Sequence, residues 1–319
     1  PTDNFIKNYM EKINKDNKKL NDDINNLVSD HFKSLEDINK LKELSLLDYD
    51  DLLIYSVKLL EEHSDIANYY QFSMKGNIAA DGNIMSLLDA TMTQTSVPEN
   101  AFVVLFSHCS SLSHAPALPA TSLAKDCYKF MFESCTSLTT APELPATTLA
   151  NDCYRSMFYN CTSLINPSSL PATTLADSCY AWMFESCTSL MTAPELPAKD
   201  LANGCYRSMF YSCTSLINPP ALPATTLAES CYEWMFGGCT SLTNAPELPA
   251  TTLAPACYYA MFEGCHSLNN PPSLPATTLT DLCYLGMFYN CTSLVNAPSL
   301  PATTLARSCY NEMFSGCTS

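Results

Sequence analysis

Between positions 149 and 164 the apolar residues Leu149, Cys153, Met157, Cys161 and Leu164 fall at steps of four, four, four and three, the spacing of one buried helical face. The spacing predicts a short helix, with Thr148 placed to cap its start. The following stretch, residues 164 to 171, holds Pro167 and Pro171 and predicts a short extended rung and a turn instead of more helix. The pattern then recurs. Cys127-Tyr128 returns as Cys153-Tyr154, Cys179-Tyr180, Cys205-Tyr206, Cys231-Tyr232, Cys257-Tyr258, Cys283-Tyr284 and Cys309-Tyr310, always 26 residues on. A second cysteine follows each of these eight residues later, from Cys135 to Cys317, and no insertion disturbs the register. Repetition without insertions predicts a stacked solenoid in which each unit packs only on its neighbours, with parallel rungs about 4.8 Å apart.

One period before Leu118, Leu123, Tyr128, Met131 and Cys135 stand Met92, Val97, Phe102, Leu105 and Cys109. Residues 86–111 therefore read as a degenerate first repeat, as terminal repeats commonly are. The array breaks off in mid-repeat at Cys317-Thr318-Ser319, so the pattern predicts further repeats beyond it.

A different periodicity governs the start of the chain. Ile6, Met10, Ile13, Asn17, Leu20, Ile24 and Leu27 alternate by fours and threes among Lys, Asp and Asn, a heptad seam in which Asn17 would fix register and strand number. The frame falters at His31 and resumes at Leu35, Ile38 and Leu41. An amphipathic helix packed on its own chain is the alternative to a coiled coil. A second helix is expected at 50–62, where Asp50 and Asp51 suit the first turn. The expected division is thus a helical oligomerisation or attachment segment at 1–63, a connector at 64–85 and the solenoid at 86–319.

Composition sharpens this picture mainly by exclusion. A formal charge of −16 gives no basic footprint for nucleic acid. No run reaches the eighteen or so apolar residues of a membrane span, and residues 1–30 hold no apolar signal-peptide core. An initiator Met lost before Pro1, or a signal peptide removed there, both stay open. The seventeen cysteines suggest disulfides or a metal at first sight. Within a repeat, however, eight helical residues separate the pair by about 12 Å, too far for a disulfide, and no tight Cys-x-x-Cys with His partners occurs. The reading is a buried column of small apolar thiols, Cys127, Cys153, Cys179, Cys205, Cys231, Cys257, Cys283 and Cys309, which suits a reducing compartment. No cofactor or metal is expected, and catalytic groups are not gathered: the histidines are scattered, and Glu143, Glu195 and Glu247 recur as a decorated surface.

The motif Met-Phe-x-x-Cys-Thr-Ser-Leu, at 157–164 and 209–216, resembles the BspA-type leucine-rich repeat of bacterial surface proteins, with its aromatic-x-x-Cys-x-x-Leu core. The resemblance covers residues 86–319 and implies an α/β leucine-rich-repeat solenoid of short rung and short helix. Repeats of this kind occur in adhesins and, with the Leu-Pro-Ala-Thr-Thr-Leu flavour seen here, in fibre proteins of phages that infect gut Bacteroides-like bacteria. The unit is longer here than the commoner form, which leaves helix length and turn open.

Two surfaces are candidates for binding. Residues 153–190 and 205–242 agree at 31 of 38 positions, so a two-repeat unit has been duplicated, and variable positions cluster after Cys-Tyr and after Met-Phe. There Trp182, Trp234, Tyr159, Tyr211 and Tyr289 would present rings to a sugar or protein, or form a solvated face. The rung positions Thr139-Thr140, Ile165-Asn166, Met191-Thr192, Ile217-Asn218 and Asn269-Asn270 form the alternative face. The resulting expectation is a non-enzymatic structural protein of a phage particle, a head or tail fibre assembled in the host cytoplasm. It would form a homo-oligomer such as a trimer, attach to other virion proteins through its N-terminal helices, and adhere to a bacterial surface glycan or protein through the solenoid. A bacterial cell-surface or secreted adhesin is the rival. Nucleic acid and membrane insertion are not expected.

Overall fold

The computed structural model describes residues 78–88 and 93–318. The heptad seam from Ile6 to Leu27, the helix expected at 50–62, the connector up to 77 and Met92 lie outside the described residues. From Ile78 onward the chain is already part of the array. Strand β1, Ile78–Ala79, pairs in parallel with β3, Leu112–His114, and Asn83 bridges Ala117. This corrects the expected connector over 78–85. Asn83 then caps a single 3-10 turn, Ile84–Leu87, its side chain accepting from the Met85 N–H at 2.9 Å. The degenerate repeat continues with β2, Ser96–Val97, which pairs in parallel with β4, Ser122–Leu123.

Among the described residues the expected helix of each repeat is absent. In its place runs a ribbon of consecutive tight turns in which every fourth residue has a left-handed backbone: Asp152 (φ 57°), Ser156 (53°) and Asn160 (58°) in one coil, Ser178, Trp182 and Ser186 in the next. N–H groups alternate between two kinds of partner. Those of Tyr128, Phe130, Phe132 and Ser134 donate to carbonyls of the next coil, on Cys153, Arg155, Met157 and Tyr159, at 2.7 to 3.0 Å. Those of Lys129, Met131, Glu133 and Cys135 donate three residues back along their own coil at 3.1 to 3.2 Å. Every one of these backbone donors is satisfied, as burial demands, without a helix.

A left-handed L-residue costs roughly 1–2 kcal/mol, and the sequence lessens that cost where it can. The position before the second cysteine is Ser134, Asn160, Ser186, Ser212, Gly238, Gly264, Asn290 and Gly316, all left-handed and all residues that favour turns or tolerate this region. The apparent helical spacing arises because the ribbon repeats every four residues, close to the 3.6 of a helix. Thr148 caps no helix and instead bridges Ser122.

The other wall consists of short rungs, as proline-rich stretches that lack N–H donors allow. Its parallel bridges link residues 26 apart and fall at alternate coil interfaces: Ser122 to Thr148, Thr174 to Asp200, Thr226 to Thr252 and Thr278 to Thr304 in one column, Thr140 to Asn166, Thr192 to Asn218 and Asn244 to Asn270 in another. The alternation follows the two-repeat period of the sequence.

Between the walls the core is columnar. Each coil from Cys127 to Leu294 buries a Cys-Tyr and a Met-Phe pair, the second cysteine and a leucine, as Cys153, Tyr154, Met157, Phe158, Cys161 and Leu164 do. Tyrosines stack face to face from Tyr128 to Tyr310 with centroids 5.6 to 5.9 Å apart. Phenylalanines stack from Phe106 to Phe314 at 5.5 to 5.8 Å. Burying one such ring removes at least 150 Å² from water, about 4 kcal/mol, which outweighs the strain of any single left-handed residue.

The eight cysteines from Cys127 to Cys309 are all buried in this core. The thiols of the column from Cys127 to Cys283 are pushed up by burial, that of Cys205 to about 12. The second cysteine of each coil has a further role that spacing did not reveal. Its Sγ donates to a phenylalanine carbonyl of the preceding coil, as Cys161 to Phe132 at 3.1 Å and Cys213 to Phe184 at 3.0 Å. The thiols therefore also tie coil to coil.

Candidate binding face

The ribbon turns its Cys-Tyr and Met-Phe pairs inward, and the two residues after each pair form the outer turns, where some side chains reach solvent and others, such as Ser156, Ala181 and Glu233, are covered by their neighbours. Those outward columns carry most of the side-chain chemistry of the solenoid. After Cys-Tyr the first column reads Lys129, Arg155, Ala181, Arg207, Glu233, Tyr259 and the second Phe130, Ser156, Trp182, Ser208, Trp234, Ala260. After Met-Phe a third column reads Glu133, Tyr159, Glu185, Tyr211, Gly237, Glu263, Tyr289.

Trp182 is half-buried between two cations of its own chain. The guanidinium carbon of Arg155 lies 4.5 Å from the centre of its ring and that of Arg207 at 5.2 Å, within cation–π range. Arg155 also reaches Asp152 at 3.0 Å. Arg207 reaches Glu233 at 2.8 Å, a carboxylate with only 8% of its surface exposed.

Trp234 has different company. Tyr211 and Tyr259 flank it edge to face, with centroids at 5.6 and 5.8 Å and interplanar angles of 72° and 68°, a favoured aromatic geometry. The structure thus brings Tyr211 and Trp234 together. Tyr159 lies in the coil before Glu185, and Tyr289 two coils beyond Gly237 in the third column, away from the aromatic group. Tyr259 was not among the expected ring-bearing candidates; its signal is that it stands one duplication period after Arg207. Gly237 was visible only as a variable position. Its φ is not left-handed, so space and not conformation requires it: a Cβ there would come within 2.8 Å of the Tyr211 ring and 3.0 Å of Trp234.

Glu185, in the same column as Gly237, has its carboxyl pushed up to about 7 by burial. Glu263 is raised as well, by burial and by the nearby Glu312. Glu143, Glu195 and Glu247 are exposed on the rung side, and His108, His114 and His266 are exposed. Among the described residues no three His, Cys, Asp or Glu side chains are grouped to hold a metal ion, and no helix is long and apolar enough to cross a membrane.

The alternative rung face is also exposed. Ile165, Met191 and Ile217 form a stripe across three successive coils with 42 to 52% of their surfaces in solvent. Beside it Asn166 donates to Thr140 and Asn218 to Thr192, each at 3.2 Å, and Asn270 donates to Asn244 at 3.0 Å. Its asparagine amides thus hold neighbouring coils to one another.

No protein-family model matches the chain, and no curated protein does. Among solved structures, it is similar to a leucine-rich repeat protein from Bacteroides ovatus at 22% identity and a TM-score of 0.38, covering 68% of this chain and 58% of that one. It is similar also to a leucine-rich cell surface protein from Faecalibacterium prausnitzii, at 20% and 0.35, covering 68% and 59%. A leucine-rich repeat protein from Eubacterium ventriosum follows at 14% and 0.31, covering 75% and 89%. The chain spans about six-tenths of the length of the first two.

Proposed function

We propose that the chain is a non-enzymatic adhesive repeat protein, in which the solenoid is a rigid scaffold and the outer turns of the ribbon are its display face. One observation carries this reading. Where the two duplicated stretches differ, at Asn160/Ser212, Ser168/Pro220, Ser169/Ala221, Asp177/Glu229, Ala181/Glu233, Glu185/Gly237 and Ser186/Gly238, four of the pairs lie on the outer turns and none in the aromatic and cysteine columns. A scaffold under packing constraint keeps its core, while a display face is free to change. The N-terminal seam from Ile6 to Leu27 makes the chain a homo-oligomer and attaches it to its carrier.

The carrier we favour is a phage particle, with the chain as a head or tail fibre, because free buried thiols suit assembly in a reducing host cytoplasm. A bacterial surface adhesin is the second reading. Peptide mass spectrometry of purified particles and of proteins shaved from intact cells separates the two. Adhesion itself is tested by incubating the labelled full chain with bacterial cells: saturable binding supports the reading, and its absence across cell types overturns it. Light scattering with and without residues 1–41 checks the oligomer, which should collapse to a monomer on truncation.

A further inference from the structure

The second outward column is left-handed in every full coil: Phe130, Ser156, Trp182, Ser208, Trp234, Ala260, Gly286 and Glu312 have φ between 48° and 59°. Serine, alanine and glycine there serve the ribbon well, so the fold does not call for tryptophan at this place. A bulky side chain in this region is an outlier that invites a functional explanation. Both tryptophans of the chain sit in this column, one duplication period apart.

The first of them shows what an indole in this position holds: a guanidinium, supplied by Arg155 and Arg207. Three differences between the copies strip the second of that partner. Arg207 takes the place before Trp234 that Arg155 takes before Trp182, but Glu233, standing where the first copy has Ala181, binds it at 2.8 Å. Tyr259 replaces the arginine on the far side, and Gly237 replaces Glu185, making room for the Tyr211 ring. What results is a partly exposed group of three aromatic rings. Glu263 follows Gly237 in the third column, and no Lys or Arg occurs between Arg207 and Arg307.

We infer that Tyr211, Trp234 and Tyr259 form an aromatic site for a cationic side chain, an arginine or lysine of a partner polypeptide, and that Trp182 is the same site closed by the chain's own arginines. Ring faces attract a cation through their quadrupole, tryptophan most strongly. A chain of net charge −16 would draw a basic segment towards it. The inference deepens the adhesive reading and rests on it for its biological setting, by naming the partner as a basic protein segment in place of a neutral glycan.

The full chain is titrated at physiological salt against fluorescently labelled hexa-arginine and hexalysine peptides, read by anisotropy. Trp234→Ala, a residue this column already accepts at Ala260, should weaken peptide binding by about tenfold or more, roughly the 1.4 kcal/mol within reach of one desolvated cation–π contact. Gly237→Glu, which restores the first copy's residue, should weaken it too, whereas Trp182→Ala should not. In a Trp182→Phe chain, Trp234 is the sole tryptophan, and its emission should shift with the peptides. Equal affinity in wild type and Trp234→Ala overturns the inference. So does an emission shift with choline chloride alone, which would point to a quaternary ammonium from lipid or glycan, or with maltohexaose alone, which would point to a neutral sugar. If the chain adheres to cells regardless of Trp234, adhesion stands and this site falls; if Trp234-dependent peptide binding occurs without adhesion to any cell, the site stands and the adhesive reading falls.

Discussion

Trp182 and Trp234 occupy equivalent places in two stretches that agree at 31 of 38 positions, yet one indole lies against guanidiniums and the other against tyrosines. The backbone ribbon and the buried rings are the same in both. Among the residues that differ, Glu233, Gly237 and Tyr259 are the ones that meet the second indole's surroundings and turn a site filled from within into one left open. The lesson is that a solenoid decouples its surface from its stability: each coil is secured by columns running through the core, so the outer turns can diverge at little energetic cost.

That comparison can be broken first at the core, which both copies share. Phe158→Ala and Phe210→Ala remove equivalent rings, the latter from between Phe184 and Phe236 at 5.8 Å each. Each should destabilise the chain by about 3–5 kcal/mol in urea unfolding. A difference of more than about half of that between them would show that the two copies do not share one core energetics. A smaller loss is expected at the thiol column. Cys153→Ser and Cys205→Ser place a hydroxyl where a buried thiol sits, at about 1–3 kcal/mol; unchanged unfolding would contradict a packing role for these cysteines.

Next comes a test whose sign separates ribbon from helix. Ser178 (φ 53°) is followed one coil later by Gly204 (φ 57°) in the same left-handed place. Ser178→Gly should raise stability by about 0.5–1 kcal/mol by relieving a left-handed L-residue. Within a helix the same change would lower it by a few tenths of a kcal/mol.

The smallest effect distinguishes the copies by pH. Burial holds the folded Glu185 carboxyl up at about 7, above its ordinary 4.5, while Gly237 has nothing to titrate. The folded state therefore binds this proton more tightly than the unfolded one. Its stabilising contribution is fully present below pH 4.5 and is lost as the pH rises through about 7. Glu185→Gln should unfold with a shallower dependence on pH across that window than wild type. Identical profiles would remove burial as the cause.

Much of this architecture was legible in the sequence. Strict recurrence of Cys-Tyr and Met-Phe every 26 residues indicated stacked coils and a columnar core, and proline on the opposite wall indicated short rungs. The helix was misread because steps of four lie close to the helical period, and cysteine, methionine and leucine alone do not distinguish the two. The discriminating signal was the polar column Ser134, Asn160, Ser186, Ser212, Gly238 and Gly264, residues that favour or tolerate turns, placed where a helix has no need of them. The thiol-to-carbonyl bonds were hidden because they join residues 29 apart. The aromatic group around Trp234 was half visible. Its rings stand out as variable residues, but the role of Gly237 depends on Tyr211 reaching across from the preceding coil, which no spacing along the chain conveys.

The most direct test of the display face is a cell-binding titration by flow cytometry. It would compare the wild-type chain with Trp234→Ala on the ribbon side and with Ile165→Ser, Met191→Ser and Ile217→Ser combined on the rung side. The account predicts that Trp234→Ala loses most of the binding while the triple substitution keeps it; retention by Trp234→Ala together with loss by the triple would place the adhesive face on the rungs and contradict it.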